Sequence, residues 1–158
     1  EYNKHLKEAI RNVKLKPGAL KLLNHLKSHK IPMGLCTALN KKDFQFETEH
    51  FNDIGLFEIG KYFEVIVTAE DDADVCENKP SPIPYLVTIN RFRNIPKPEN
   101  VLVFEDSNEG IQSAVFAGTQ CVMLQDVRQY ENTSQLVVIT LTSFNDFKPE
   151  LFSLPKYE

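Results

Sequence analysis

The sequence contains no apolar run long enough to cross a membrane, which takes about 20 residues in helical form. The run at residues 136–139 is among the longest and is the size of a strand. The first residues carry no apolar segment typical of secretory signals. We therefore expect neither a membrane span nor a membrane partner, and we expect a cytoplasmic location.

Cysteine is scarce, and its spacing excludes the usual cysteine-based sites. Cys36, Cys76 and Cys121 are odd in number and far apart. They form no Cys-x-x-Cys pair and no zinc-type spacing. We expect three reduced thiols, with neither a disulfide framework nor a structural zinc site.

An excess of basic residues is also missing. The chain has 18 Lys and Arg against 22 Asp and Glu, a formal net charge of −4. This balance argues against nucleic acid or an anionic membrane surface as a partner. The length of 158 residues suits one domain, and 42% hydrophobic residues are enough for a buried core.

Short apolar runs alternate with helical patterns along the chain. The patterns predict helices at residues 2–13, 17–28, 42–52, 82–92 and 109–117, and strands at 31–37, 65–68, 101–104, 121–124 and 137–140. This alternation predicts an α/β fold whose parallel strands are joined by right-handed crossovers. Ligand sites of such sheets lie at the carboxyl ends of strands.

Two of the segments that follow predicted strands carry groups suited to a phosphate. Thr37 and Ala38 end the first strand, where a hydroxyl and backbone N–H groups can hold phosphate oxygens. Lys79 stands before a helix between two strands, where an ammonium favours a negative ligand. Taken singly, each has an ordinary alternative: a helix-capping or buried threonine, and a surface lysine.

A third strand end carries two adjacent carboxylates, Glu105 and Asp106. Such groups at the end of a buried strand are costly unless they are paired or bind a metal, and Mg²⁺ suits carboxylate oxygen. The alternative is a capping box between Asp106 and Glu109 at the start of the next helix. Taken together, the three strand ends predict a phosphoryl site in which Mg²⁺ and a lysine neutralise the phosphate.

The sequences of these segments resemble motifs of the haloacid dehalogenase superfamily. Residues 15–19 and 31–37 resemble its second motif and the helix before it, and residues 79–82 resemble the third. Residues 103–110 resemble the fourth motif and are the most specific match, while the tail at 147–158 resembles the pseudouridine-5′-phosphatase branch. The resemblance covers roughly residues 15–158 and implies a Rossmann-like three-layer sandwich with a mostly parallel sheet.

The resemblance also implies roles. Thr37, helped by the Ala38 N–H, would bind the transferring phosphoryl group, and Lys79 would balance its charge. Asp106, with Glu105 beside it, would ligate Mg²⁺. The reaction would be hydrolysis of a small-molecule phosphate ester through an aspartyl-phosphate.

The sequence departs from the superfamily pattern at two positions near these motifs. Leu39 stands where relatives usually have a small polar residue, and Ile83 stands where they often have Asp. The second departure puts the support of Lys79 in doubt.

A larger departure concerns the first motif, Asp-x-Asp, which supplies the nucleophile. Asp72 and Asp74 have its spacing but follow no apolar strand, so we reject them for this role. We interpret residues 1–14 as a remnant of the last cap helix. Residues 15–158 are then an incomplete core that lacks the first-motif strand and nearly all of the cap.

Several functions stay open at this point. We expect the intact protein to be a Mg²⁺-dependent phosphatase, and the 158-residue chain, a monomer, to be inactive alone. A catalytically inactive paralogue that binds or regulates is the main alternative, and a sugar-phosphate mutase is another. A receiver domain is disfavoured because its acidic pair precedes its lysine in the chain.

Overall fold

The computed structural model describes residues 2–125 and 137–158. Its helices are α1 (Tyr2–Arg11), α2 (Ala19–Ser28), α3 (Lys41–Thr48), α4 (Ile83–Asn90) and α5 (Asn108–Phe116). Its strands are β1 (Gly34–Thr37), β2 (Val65–Thr68), β3 (Leu102–Glu105), β4 (Gln120–Leu124) and β5 (Ile139–Leu141). Residue 136, where the apolar run of residues 136–139 begins, lies outside the described residues.

The strands form two parallel sheets. One has the order β1-β2, with Gly34 opposite Val65 and Thr37 opposite Thr68. The other has the order β3-β4-β5. Within the described part of the chain no strand ladder joins β1 to β3, so each of these strands has an edge without a strand partner.

The strands separate two apolar layers, because successive side chains of a strand point to opposite faces. Val122 and Leu124 of β4 pack with α2 and the C-terminal segment, whereas Cys121 and Met123 pack with α4 and α5. The other buried residues of the first layer are Leu22, Leu26, Met33, Phe63, Leu141 and Phe147. The expected three-layer α/β architecture is therefore confirmed.

Several element boundaries differ from the predictions for local reasons. The strand predicted at 31–37 begins only at Gly34, since Pro32 has no N–H for a strand ladder. The helix predicted at 42–52 ends at Thr48, and a 3₁₀ helix (Glu49–Ile54) continues to Gly55, whose φ is +61°. These changes leave the order of elements as predicted.

The N-terminal cap of α5 corrects one prediction. Ser107, not Asp106, is the capping residue, and its hydroxyl oxygen accepts from the Gly110 N–H at 3.1 Å. The alternative considered for this segment, a capping box between Asp106 and Glu109, is therefore wrong, and the Asp106 carboxylate is left for other contacts.

The N-terminal region is helical at α1, as predicted, but its assignment to a cap stays a prediction. The division of the chain at residues 14 and 15 likewise stays a prediction. No described helix combines the length and the apolar character that a membrane crossing requires.

Candidate active site

The carboxyl end of β1 and the segment before α4 meet in space. Nζ of Lys79 donates to the Cys36 carbonyl at 3.2 Å. One residue earlier, Nδ2 of Asn78 donates to the Ala38 carbonyl at 3.2 Å. The structure thus brings together two strand-end segments that lie about 40 residues apart in sequence, as the parallel arrangement predicts.

Thr37 shapes the turn at the end of β1. Its carbonyl accepts from the Ala69 N–H at 2.8 Å, which extends the pairing with β2. Its Oγ1 accepts from the Leu39 N–H at 3.3 Å. Leu39 thus contributes a backbone donor at this point, and the turn does not depend on a small polar side chain there.

Glu105 is the last residue of β3 and turns inward. Along this strand Val103 and Glu105 are the buried positions, and Val103 packs in the layer of α4 and α5. Oε1 of Glu105 accepts from Nζ of Lys79 at 2.5 Å and from the Tyr85 hydroxyl. Its other oxygen, Oε2, accepts from the Asp106 N–H at 3.3 Å and the Ser107 hydroxyl at 3.4 Å. Both carboxylate oxygens therefore have protein donors.

Lys79 is equally enclosed, with 10% of its side chain exposed. An ammonium has three donors, and three acceptors surround this one. They are the Cys36 carbonyl at 3.2 Å, the Tyr85 hydroxyl at 3.3 Å and Oε1 of Glu105 at 2.5 Å. The support of Lys79 comes from these groups and not from residue 83. A phosphate would have to replace one acceptor, so the direct role of Lys79 stays a prediction.

Tyr85 is a site residue that the sequence analysis missed. It lies in α4, and 7% of it is exposed. Burial raises the pKa of Tyr85 far above its usual range, and the neighbouring charge of Glu105 raises it further. Its hydroxyl is therefore a permanent donor. The available signal was a tyrosine in a mostly apolar helix, because a buried hydroxyl needs a partner.

Gly110 belongs to the same cluster. A Cβ atom at this position would lie less than 3.0 Å from the carboxylate carbon and both oxygens of Glu105. The first turn of α5 can therefore pack against the carboxylate only because residue 110 has no side chain.

Asp106 points the other way, and 57% of its side chain is exposed. Its Oδ2 lies 3.6 Å from Nζ of Lys16, in the segment before α2. The two adjacent carboxylates therefore diverge: Glu105 is neutralised inside the fold, and Asp106 faces outward.

The described residues contain no group of three or more His, Cys, Asp or Glu side chains that could hold a metal ion. Asp106 nevertheless offers an exposed carboxylate at a strand end. Mg²⁺ is commonly bound by one or two carboxylates, with water and substrate phosphate completing its shell. Asp106 is suited to be one of these carboxylate ligands. Both oxygens of Glu105 already have protein donors, so metal ligation by Glu105 stays a prediction.

Asp72 and Asp74 are held by Arg91. Two guanidinium nitrogens donate to the two Asp72 oxygens at 2.6 and 2.7 Å, and one also donates to Asp74 at 2.6 Å. The hydrogen bonds from Arg91 lower the pKa of Asp72. These contacts give both carboxylates a structural role, and their exclusion as the first motif stays a prediction.

The three thiols have different surroundings. Cys76 is exposed, Cys36 is half-buried and Cys121 is buried. Burial raises the pKa of Cys36, and burial together with the charge of Glu105 raises the pKa of Cys121 to about 12. Neither enclosed thiol is prepared to act as a nucleophile.

Comparisons with known proteins identify relatives of this chain. The sequence is 38% identical over 148 residues to the probable pseudouridine-5′-phosphatase of Drosophila melanogaster, covering 94% of this chain and 62% of the relative. It is 35% identical over 145 residues to the mitochondrial (DL)-glycerol-3-phosphatase 1 of Arabidopsis thaliana, covering 91% and 47%. The chain therefore spans less than two thirds of the length of these relatives.

A solved structure shows the same fold. The crystal structure of CbbY from Rhodobacter sphaeroides in complex with phosphate superposes with a TM-score of 0.72 at 22% identity, covering 90% of this chain and 61% of that one. The family described as haloacid dehalogenase-like hydrolase matches residues 1–124. This match includes Thr37, Lys79, Glu105 and Asp106. The chain belongs to the haloacid dehalogenase-like hydrolase family.

Proposed function

We propose that this chain is the phosphate-handling part of a Mg²⁺-dependent phosphomonoester hydrolase that acts on small phosphorylated metabolites. The observation that carries the proposal is that the β1 turn, Lys79 and Glu105 meet in space, with the exposed carboxylate of Asp106 on the next residue. The relatives are phosphatases named for pseudouridine 5′-phosphate and glycerol 3-phosphate. Pseudouridine 5′-phosphate is the first substrate to test.

Each residue has a distinct proposed role. The Thr37 hydroxyl and the Ala38 N–H orient phosphoryl oxygens at the end of β1. The buried pair of Lys79 and Glu105 fixes the neighbouring strand end, and Asp106 holds the metal. Bound Mg²⁺ would supply positive charge that neutralises the phosphate.

The nucleophile is a separate matter. Among the described residues, Asp106 is the aspartate that directly follows a strand, and the proposal assigns it to the metal. A covalent step through an aspartyl-phosphate therefore has no attacking group in this part of the chain. We propose that the 158-residue chain binds phosphate but does not hydrolyse esters alone.

The experiment measures binding and turnover separately. Titration calorimetry with orthophosphate and Mg²⁺ should show phosphate binding that depends on the metal and is lost in Asp106→Asn. The matched control is Asp53→Asn, which neutralises an exposed aspartate outside the site. Equal binding by Asp106→Asn and wild type would contradict the proposed metal role.

Turnover of p-nitrophenyl phosphate and pseudouridine 5′-phosphate, with and without Mg²⁺, tests the proposed inactivity of the chain. We expect none from the 158-residue chain. Hydrolysis that disappears in Asp106→Ala would overturn the proposed inactivity while supporting phosphatase chemistry.

A catalytically inactive binding or regulatory protein is the second candidate. It is favoured by one observation: all three donors of Lys79 and both oxygens of Glu105 already have protein partners. Phosphate binding without turnover in the longest natural form of the protein would support this candidate. A monomer in the cytoplasm is part of either proposal, and light scattering tests the oligomeric state.

A further inference from the structure

We propose that Tyr85 is a positioning residue whose hydroxyl locks Lys79 and Glu105 into one closed arrangement and thereby fixes the strand end that carries Asp106. Its contribution to phosphate chemistry rests on the proposed function. The closed arrangement itself rests on the geometry alone.

The three side chains form a closed triangle. Both Nζ of Lys79 and the Tyr85 hydroxyl donate to the same oxygen, Oε1 of Glu105. The third side is closed by Lys79, which donates to the Tyr85 hydroxyl at 3.3 Å. Nζ also lies 4.7 Å from the centre of the Tyr85 ring. Tyr85 thus contacts the ammonium with both its ring and its hydroxyl.

The Tyr85 hydroxyl adds a neutral hydrogen-bond donor to the ion pair of Lys79 and Glu105. A phenol is a neutral donor, so it satisfies a second lone pair of Oε1 without changing the net charge of the buried pair. With lysine alone on Oε1, rotation of the carboxylate about its last bond is opposed by one donor fewer. Two donors from different directions oppose that rotation and hold the carboxylate plane.

The orientation of the carboxylate matters because its other oxygen supports the start of α5. Oε2 accepts from the Asp106 N–H at 3.3 Å and from the Ser107 hydroxyl at 3.4 Å. Ser107 in turn caps α5. Holding Oε1 therefore fixes Oε2, and Oε2 fixes the backbone of the exposed Asp106. The described hydrogen bonds of Tyr85 are with Lys79 and Glu105, so it acts on Asp106 through Glu105.

The first test follows the reactivity of Lys79. Reductive methylation of the folded chain, read by mass spectrometry, reports how often this ammonium leaves its enclosure. Tyr85→Phe keeps the ring and removes only the hydroxyl. Since a hydrogen bond to a charged group is worth a factor of about ten or more in an opening equilibrium, the Lys79 rate should rise by about tenfold or more.

Two control variants separate positioning from general destabilisation. Ser113→Ala removes a buried hydroxyl that donates to the Ser81 carbonyl at 2.6 Å, between α5 and the segment before α4. Tyr62→Phe removes an exposed hydroxyl bonded to Asn24 at 2.7 Å. We expect both to leave the Lys79 rate within about twofold of wild type. Equal Lys79 rates in wild type and Tyr85→Phe, or an equal rise in Ser113→Ala, would overturn the proposal.

A measurement on wild type covers the case in which Tyr85→Phe fails to fold. The hydroxyl proton of Tyr85 should give a slowly exchanging, downfield proton resonance with a through-space contact to Lys79. Its absence would overturn the closed triangle.

The binding experiment then addresses function. In Tyr85→Phe the affinity for orthophosphate with Mg²⁺ should fall about tenfold, while Tyr62→Phe binds as wild type does. If wild type binds neither ion, the proposed function fails, and the Lys79 rate and hydroxyl proton still decide the positioning role. If Lys79 is unaffected while wild type binds both ions, the positioning role fails and the proposed function stands.

Discussion

Nζ of Lys79 lies 2.5 Å from Oε1 of Glu105, and the two side chains are only 10% and 8% exposed. Lys79→Met should therefore lower the free energy of unfolding by about 3–5 kcal/mol, because it leaves a carboxylate buried without its counter-charge. Urea unfolding at neutral pH measures this change.

The matched control for that substitution is Lys16→Met. Lys16 pairs with Asp106 at 3.6 Å, but the two side chains are about half exposed. Its loss should cost about 0–1 kcal/mol, as is usual for a surface ion pair. Similar costs for Lys79→Met and Lys16→Met would contradict the assigned burial of the first pair.

Gly110→Ala should destabilise the fold, although alanine normally favours a helix over glycine by about 1 kcal/mol. The reason is the overlap of the new methyl group with the Glu105 carboxylate. Overpacking of this kind typically costs about 1–3 kcal/mol. Thermal or urea unfolding of the single variant gives the sign of the change in the free energy of unfolding.

A double-mutant cycle identifies the clashing partner of residue 110. In a Glu105→Ala background the carboxylate is gone, so the additional Gly110→Ala substitution should be close to neutral or stabilising. An unchanged cost in that background would show that the strain has another source.

Asp72→Asn should reduce stability at neutral pH but not in acid. The folded-state pKa of Asp72 is lowered by its hydrogen bonds with Arg91. The stabilisation is therefore complete above the unfolded-state pKa of about 3.9 and is lost as the pH falls through the lower folded-state value. Urea unfolding at a series of pH values should show the difference between variant and wild type beginning to shrink below about pH 4 and vanishing only below the folded-state pKa of Asp72.

Asp74→Asn is the matched comparison, since this carboxylate also bonds to Arg91 but is 71% exposed, against 14% for Asp72. Its effect should be the smaller of the two at neutral pH. The reverse order would mean that the bidentate contact of Asp72 contributes less than its geometry implies.

Alkylation should distinguish the thiols. In the folded chain at pH 8, iodoacetamide should label Cys76 rapidly, and Cys36 and Cys121 slowly, because burial raises the pKa of both enclosed thiols. In denaturant all three should react at similar rates. Peptide mass spectrometry assigns the sites, and rapid native labelling of Cys121 would contradict its placement.

The sequence predicted the order of elements, the parallel pairing and the strand-end residues, because these follow from local periodicity and from the geometry of α/β folds. Unpaired edges on β1 and β3 are one outcome expected of a core that lacks the first-motif strand. The opposite directions of Glu105 and Asp106 could have been anticipated from strand alternation, because Val103 and Glu105 share a face. The partner of Tyr85 could not, because it lies 20 residues away.

The division of the strands has a consequence for how the molecule opens. Backbone ladders tie β1 to β2 and β3 to β4, whereas side chains connect the two sheets: the apolar layers on both faces, and Lys79, which bonds to both Cys36 and Glu105. Separation of the two sheets would break no backbone ladder between β1 and β3. Local opening between the two sheets would therefore have to break the buried pair of Lys79 and Glu105.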